Sequence, residues 1–184
     1  MTFLKSMAKD AKVYDFFARS PAMFGPFTET CEQIMRGPSP LTPAQRELIG
    51  SYVSKLNSCP YCHDVHNEAV KAYGIDGGLT QTLVDNLQAA DIDDNFRVLL
   101  EFVRKITQAA YRISESDYER LYAAGWDDDA IHDACIVACL FNFMNRLVSG
   151  FGIEADEAYL AMSGSRIKNE GYSASLEKTM QKAG

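Results

Sequence analysis

The stretch CPYCHDVH, residues 59–66, places two cysteines and two histidines within eight positions. Pro60 suits the first position of a helix, which makes Cys59 the N-cap residue. On that helix Cys59, Cys62 and His66 stand at i, i+3 and i+7, so they share one face. The partial positive charge at a helix N-terminus favours the thiolate, which is the reactive form of cysteine. The pattern predicts a redox-active dithiol at a helix N-terminus.

The residues before this stretch predict a second helix that packs against the first. Thr42 is a suitable N-cap, Pro43 suits the first helical position, and Gln45 completes a Thr-x-x-Gln capping box. We expect this helix to run to about Asn57. The dithiol helix should end at Gly74, because glycine readily adopts the left-handed conformation that stops a helix.

Glu47 is the residue of the earlier helix that can reach the dithiol helix. It shares a face with a row of serines, whose small side chains allow close helix packing. In a hairpin rising about 1.5 Å per residue, Glu47 lies about 15 Å, His66 about 9 Å and Cys62 about 3 Å below the turn. A glutamate side chain can therefore reach His66 but not Cys62. The spacing predicts a relay: Glu47 orients and polarises His66, and His66 takes the thiol proton of Cys62.

Three further residues are candidates for the pocket around the dithiol: Tyr61, His63 and Asn142. We interpret Tyr61 as packing or a pocket wall rather than as an acid catalyst. His63 lies one position round the helix from the second cysteine, where a structural role is the default interpretation. Asn142, like Asn145, is a polar residue late in an apolar helix, and it either bonds a helix end or an interface or reaches the pocket.

Two other interpretations of the cysteines remain open. They can be structural thiols, or they can bind zinc together with His66 and a fourth ligand. Most structural zinc sites draw their ligands from two separated pairs, and the chain has no second C-x-x-C and no H-x-x-x-H. We therefore predict no metal site and no bound cofactor.

The complete pattern resembles the signature of the alkylhydroperoxidase D / carboxymuconolactone decarboxylase family. Its elements are Glu47, eleven residues, Cys59-x-x-Cys62, three residues and His66. The later stretches LLEFVRKIT and ERLYAAGWDDDAIHDACIVACLFNFMNRLVSGFG are similar to the peroxidase-related branch of that family. The resemblance covers roughly residues 15 to 160. In alkylhydroperoxidase D a histidine stands where this chain has Tyr61, and the motif lies in the second half of the chain.

The resemblance implies an all-α, alkylhydroperoxidase D-like helical bundle that is an obligate homo-oligomer, as a dimer, trimer or hexamer. It implies a thiol-dependent peroxidase that reduces hydrogen peroxide or organic hydroperoxides and is recycled by a dithiol reductant of the lipoyl or thioredoxin type. Cys62 matches the peroxidatic cysteine and Cys59 the resolving one, which closes a Cys59–Cys62 disulfide. The helix dipole alone favours Cys59 as the more acidic thiol, whereas the relay favours Cys62; we predict that Cys62 attacks peroxide and Cys59 exchanges with the reductant.

Hydrophobic periodicity predicts helices almost everywhere and no convincing strand. A first short helix is expected in KDAKVYDFFARSP, residues 9–21, stopped near Pro21, and further helices near 26–35, 79–88, 93–110, 115–124 and 128–150. The 128–150 helix is apolar on nearly every side, so we expect it to be central and buried. We divide the chain into one helical domain, residues 1–163, and a polar tail or oligomer arm, residues 164–184, with one short helical patch.

Composition and charge limit the possible binding partners and the possible cellular compartment. The 184 residues carry a formal net charge of −7 and no basic run, so we exclude nucleic acid, which binds positive faces. The start of the chain has no apolar core of a signal peptide, and the apolar stretch 134–144 is too short to span a membrane. Five cysteines without an export signal predict a cytoplasmic protein. The alternatives to a peroxidase are a thiol–disulfide oxidoreductase, a redox-sensing oligomer or, less compatible with the cysteine pair, a lactone decarboxylase.

Overall fold

The computed structural model describes residues 2–183, which form helices joined by turns. The α-helices are α1 (Val13–Ala18), α2 (Pro21–Arg36), α3 (Pro43–Leu56), α4 (Pro60–Ala72), α5 (Leu79–Asp85), α6 (Asp94–Ala109), α7 (Glu115–Ala123), α8 (Asp128–Phe151), α9 (Glu157–Glu170) and α10 (Ser173–Ala183). Short 3-10 turns follow α5 and α6, at Leu87–Ala89 and Ala110–Arg112. The predicted all-α class is confirmed.

Helix α3 forms the centre of the bundle. Its residues 46–54 are all buried, and it packs against α4, α5, α6 and α8. Gly50 permits the close approach of α8, because a Cβ at that position would lie 2.4 Å from the ring of Phe141. The start of α3 is the predicted one: Thr42 Oγ1 accepts from the Gln45 N–H at 3.2 Å, and Gln45 Oε1 accepts from the Thr42 N–H at 2.9 Å.

A tight turn between α3 and α4 places the dithiol. The N–H of Cys59 donates to the carbonyl of Ser54 at 2.9 Å, and the N–H of Ser58 donates to the carbonyl of Lys55 at 3.0 Å. This is a Schellman motif, whose left-handed position is usually glycine. Here Ser58 occupies it with a φ of 52°. The turn ends at Cys59, whose extended backbone makes it the N-cap of α4 as predicted.

Helix α8 is less buried than the sequence analysis predicts. It packs on α3, α6, α2 and α4, but only 33% of its most apolar 18-residue stretch is buried. Ile136 and Phe143 are 37% and 49% exposed on its outer face, and Cys139 is exposed between them. The apolar residues on its outer face therefore form an unpartnered surface. The central position in the bundle is occupied by α3 instead. By length and composition alone α8 would also qualify as a membrane span.

The C-terminal segment is more ordered than a tail with one short helical patch. Residues 164–170 complete α9, and α10 follows after a turn at Gly171, where φ is 77°. Helix α9 packs on α4, and α10 packs on α1 and α2. Gly164 brings α9 against α4, since a Cβ there would lie 2.3 Å from the carbonyl oxygen of Glu68. An additional role as an oligomer arm stays a prediction.

Helix α2 begins earlier than predicted. Pro21, expected to stop the first helix, occupies the first position of α2, where a missing N–H costs nothing. Pro26, expected to begin the helix, lies inside it.

Candidate active site

The carboxylate of Glu47 joins α3 to α4 and to the C-terminal segment. His66 Nδ1 lies 2.7 Å from Glu47 Oε2, and the Tyr172 hydroxyl donates to Glu47 Oε1 at 2.6 Å. Glu47 is 1% exposed, and both of its oxygens are occupied. Because an ionised carboxylate only accepts hydrogen bonds, Nδ1 carries the hydrogen and Nε2 is left to take a proton. The contact between Glu47 and His66 is the one that the helical spacing predicts.

Aromatic rings fix the plane of the histidine. Phe141 packs edge-on against His66 with ring centroids 4.5 Å apart, and Tyr172 stacks at 6.2 Å with an interplanar angle of 16°. Tyr172 is itself anchored, because its N–H donates to Glu32 Oε2 at 2.6 Å. The imidazole therefore has one orientation, set by α3, α8 and the turn before α10.

Cys59 and Cys62 are free, buried thiols with opposite acidities. The Cys62 thiol, followed by the Cys62 peptide N–H, the Ser149 hydroxyl and His66, lowers the pKa of Cys59 to about 6, against the effect of burial. The neighbouring Cys59 sulfur, followed by burial, raises the pKa of Cys62 well above its ordinary value, while Asn145 acts in the opposite direction. Cys59 is therefore the thiolate of the pair at neutral pH, as the helix dipole alone predicts.

The two sulfurs face different spaces. Cys62 and His66 line an inner cavity of about 70 Å³ between α4, α8, α9 and the N-terminal helices, with Tyr172 and Phe141 in its wall. Cys59 instead lines two outer depressions: one of about 340 Å³ toward Ser149 and one of about 250 Å³ toward His63. The two cysteines of the pair therefore line different cavities.

The three candidate pocket residues have three different places. Tyr61 lines the inner cavity, and its hydroxyl donates to Tyr159 Oη at 2.9 Å. His63 lies beside the outer depression, where Ser51 Oγ is 3.1 Å from its Nδ1; burial, followed by the charge of Lys55, lowers its pKa.

Asn142 lies away from the inner cavity, in a polar network at the end of α3. Its Oδ1 accepts from Asn57 Nδ2 at 3.1 Å and from Arg146 Nη1 at 2.9 Å. Asn145 lies nearly one turn further along α8, and it is the residue that reaches Cys62. Asn145 also donates to Ser54 Oγ at 2.9 Å, so it ties α8 to the turn before the dithiol.

Tyr172 and the cavity residues of α9, which are Tyr159, Arg166 and Ile167, are absent from the sequence-based site. All of them except Tyr159 lie in the polar segment 164–184, which resembles a tail. Tyr172 is the one large aromatic side chain in residues 164–184, and it follows a helix-stopping glycine. That combination is the available signal, since an aromatic directly after a stop often packs back on the preceding helix.

Metal-binding geometry is a separate question. In residues 2–183, no group of three or more His, Cys, Asp and Glu side chains is arranged to hold a metal ion. The alternative of a zinc site built on Cys59, Cys62 and His66 therefore has no geometric support.

Fold and site together define an all-helical protein with a buried, asymmetric dithiol beside a carboxylate–histidine pair. A model of the carboxymuconolactone decarboxylase family matches residues 21–84, which include Glu47 and the dithiol. An uncharacterised peroxidase-related protein from Silicibacter sp. TM1040 is 34% identical to this chain. The two structures match with a TM-score of 0.75 over 80% of this chain and 78% of that one. The chain belongs to the carboxymuconolactone decarboxylase family, among alkylhydroperoxidase D-like proteins.

Two further structures have the same fold. The alkylhydroperoxidase core of an uncharacterised peroxidase-related protein from Ralstonia eutropha JMP134 is 26% identical, with a TM-score of 0.73 over 81% of this chain and 78% of that one. A protein of unknown function from Agrobacterium tumefaciens is 21% identical, with a TM-score of 0.65 over 77% of this chain and 96% of that one. No curated protein is significantly similar in sequence.

Proposed function

We propose that the protein is a thiol-dependent peroxidase that reduces hydrogen peroxide or organic hydroperoxides through Cys59 and Cys62. The observation that carries the proposal is the division of the two sulfurs: Cys62 lines one cavity together with His66, whereas Cys59, whose pKa is lowered to about 6, lines two other depressions. Family membership and peroxidase-related relatives support the same class of reaction.

The oxidation of Cys62 is the first step. His66 Nε2 takes the proton of the Cys62 thiol, directly or through one water, and the sulfur attacks the distal oxygen of the hydroperoxide. The O–O bond breaks and an S–O bond forms, which gives a sulfenic acid on Cys62. The leaving alkoxide takes the proton back from His66 and departs as an alcohol. Glu47 stabilises the transient imidazolium, because its charge lies 2.7 Å from Nδ1.

The closure of the disulfide is the second step. The Cys59 thiolate attacks the Cys62 sulfur, an S–S bond forms, and hydroxide leaves and is protonated to water. Because the pKa of Cys59 is lowered to about 6, its thiolate is available for this attack at neutral pH. The two thiols lose two electrons and the peroxide gains them. A dithiol of the lipoyl or thioredoxin type then reopens the disulfide by exchange at Cys59, the cysteine that lines the outer depressions.

Stopped-flow oxidation of the reduced protein tests the proposal. One equivalent of hydrogen peroxide or tert-butyl hydroperoxide should remove two thiols and give a Cys59–Cys62 link by mass spectrometry. Cys31 is an internal control: it lines the same cavity, but burial raises its pKa to about 12 and it is not part of the Glu47–His66 relay, so it should stay reduced. Slow reaction with peroxide but fast exchange with dihydrolipoamide or thioredoxin would favour the thiol–disulfide oxidoreductase instead.

The relay has its own test. Glu47→Gln keeps the size of the side chain but removes its charge, so proton transfer to His66 becomes less favourable. We expect peroxide oxidation to slow by roughly 10- to 100-fold, toward the lower range of general base catalysis. An unchanged rate in a folded Glu47→Gln protein would remove Glu47 from the relay.

A further inference from the structure

Arg166 of α9 lies at the inner cavity, and no carboxylate in the described part of the chain forms an ion pair with it. It lines the same cavity as Cys62 and His66. Among the described residues its guanidinium donates to two neutral hydroxyls, from Nη1 to Ser175 Oγ at 2.9 Å and from Nη2 to Tyr159 Oη at 3.3 Å. A guanidinium has five N–H donors, so these two bonds leave it with unused donor capacity and an uncompensated charge.

Aromatic rings hold this guanidinium in place. Its central carbon lies 5.5 Å from the ring centroid of Tyr14 and 5.3 Å from that of Tyr159. Burial raises the pKa of Tyr14 and of Tyr61, so these phenols stay neutral and do not balance the charge. Cation–π contacts of this kind fix the orientation of an arginine and leave its charge available to a ligand.

The same arginine also borders the solvent. It lines a surface groove of about 230 Å³ together with Lys12, Asp15 and Lys178. The two lysines there have carboxylate partners, at 2.8 Å from Lys12 to Asp156 and at 2.7 Å from Lys178 to Glu170. Arg166 therefore stands between the solvent and the cavity, and it is the cation of this groove that pairs with no carboxylate in the described part of the chain.

The path from Arg166 to the dithiol is short and continuous. Arg166 bonds Tyr159, Tyr159 accepts from Tyr61 at 2.9 Å, and Tyr61 directly precedes Cys62. The rest of the cavity wall is mainly apolar, with Val13, Phe17, Phe27, Leu140, Met144 and Val148; it also includes Thr28, whose hydroxyl donates to the Phe24 carbonyl at 2.6 Å. A ligand that fits this space has a short apolar body, a group for Cys62 at one end and an anion for Arg166 at the other.

We propose that Arg166 binds the carboxylate of the substrate, so that the dithiol acts preferentially on short, acidic organic hydroperoxides. The assignment rests on the proposed peroxidase function and names its substrate class. Arginine suits the role because its planar fork forms two parallel hydrogen bonds with a carboxylate. The neutral body lies on the apolar wall, and the peroxide group reaches Cys62 and His66.

A matched pair of peroxides tests the substrate class. The neutral probe is tert-butyl hydroperoxide, and the acidic probe is β-hydroperoxyisovalerate, which carries a carboxylate on one methyl group. The unaltered protein should be oxidised faster by the acidic probe. Because hydrogen bonds to charged groups contribute about 1.5–3 kcal/mol, Arg166→Met should lower the acidic-to-neutral rate ratio by roughly 10- to 100-fold. Arg166→Lys should recover part of the ratio.

Two controls make the outcome decisive. Arg120→Met removes a cation of α7 outside the cavity and should leave the ratio unchanged. Calorimetric binding of the unreactive alcohol β-hydroxyisovalerate should be lost in Arg166→Met, provided that circular dichroism shows a folded protein. Fast oxidation with the same ratio in the unaltered and Arg166→Met proteins would overturn the substrate class alone. Oxidation by hydrogen peroxide but by neither organic peroxide would also overturn the substrate class alone, whereas failure of hydrogen peroxide and of both organic peroxides to oxidise the unaltered protein would overturn the proposed function and the substrate class together.

Discussion

The buried carboxylate of Glu47 is the residue on which the chemistry of this site depends. It holds His66 through one oxygen and accepts from Tyr172 through the other. Buried carboxylates are costly unless their oxygens are hydrogen-bonded. In the proposed relay, Tyr172 stabilises the charge of Glu47 that polarises His66, so we assign it the role of a positioning residue.

Tyr172→Phe should therefore weaken the relay without removing any group from the reaction. Without the hydroxyl, the buried carboxylate of Glu47 loses one of its two hydrogen bonds, so it holds the imidazole of His66 in a changed environment. We expect peroxide oxidation to slow and the His66 resonances to shift in the NMR spectrum. Tyr122→Phe is a matched control, because the exposed Tyr122 also donates to a carboxylate, at 2.7 Å from Asp128. An unchanged rate and unchanged His66 resonances in Tyr172→Phe would show that Tyr172 only packs.

The acidity of Cys59 predicts a pH effect. Its lowered pKa of about 6 means that the thiolate is present above that pH and is lost as the pH falls through it. The ultraviolet absorbance of the thiolate should titrate with a midpoint near 6 in the reduced protein, and disulfide closure should slow below it. Cys62→Ala removes the first cause of the lowered pKa, so the midpoint should rise. A midpoint that disappears in Cys62→Ala but persists in Cys59→Ala would mean that the assignment is reversed.

Sequence reasoning reaches part of this site. Helical rise and spacing were sufficient to predict the Glu47–His66 contact, since both residues lie on adjacent helices joined by a short turn. They could not predict Tyr172 or Arg166, because these contacts join residues far apart in the chain. Tyr172 lies 125 positions from Glu47, and no local pattern encodes such a contact.

At the scale of the elements, the start of α4 depends on the turn before it. Ser58 takes a left-handed conformation that usually needs glycine. The sequence analysis recognised Pro60 as a helix start but had no glycine to mark the Schellman turn. Likewise, the apolar residues of α8 suggested a buried helix, because apolar periodicity alone does not separate a core face from an unpartnered outer face.

The packing of α9 on α4 gives a prediction at this scale. Gly164→Ala places a methyl group against the backbone of Glu68, so the two helices must separate. We expect a loss of about 1–3 kcal/mol in the free energy of unfolding, as for other overpacked contacts. The measurement is thermal or urea denaturation of the reduced protein.

Gly150→Ala provides the control for that measurement. Gly150 lies in α8 with open space around its Cβ position, so alanine should stabilise the helix by up to about 1 kcal/mol. Equal effects of the two substitutions would contradict the close α4–α9 contact.

At the scale of the whole molecule, the homo-oligomer expected from the family resemblance stays a prediction. Contiguous exposed apolar surface often marks an interface, and the outer face of α8 carries Ile136, Cys139 and Phe143. Light scattering should give a mass above that of one chain, and Ile136→Glu should lower it. Tyr111→Glu changes an 89% exposed aromatic residue outside α8, and it should not lower the mass. A monomeric mass for the unaltered protein at micromolar concentration would contradict the prediction.

The central claim is that Cys62 reduces the peroxide and that Cys59 then resolves the Cys62 sulfenic acid by forming the disulfide. The most direct measurement is the rate of peroxide oxidation of Cys62→Ser and Cys59→Ser, with trapping of the sulfenic acid by dimedone and mass spectrometry. We predict that Cys59→Ser still reacts rapidly and carries the trapped sulfenic acid on Cys62, while Cys62→Ser loses the fast reaction. A Cys62→Ser protein that reacts as fast as the unaltered one, with the sulfenic acid on Cys59, would contradict the account.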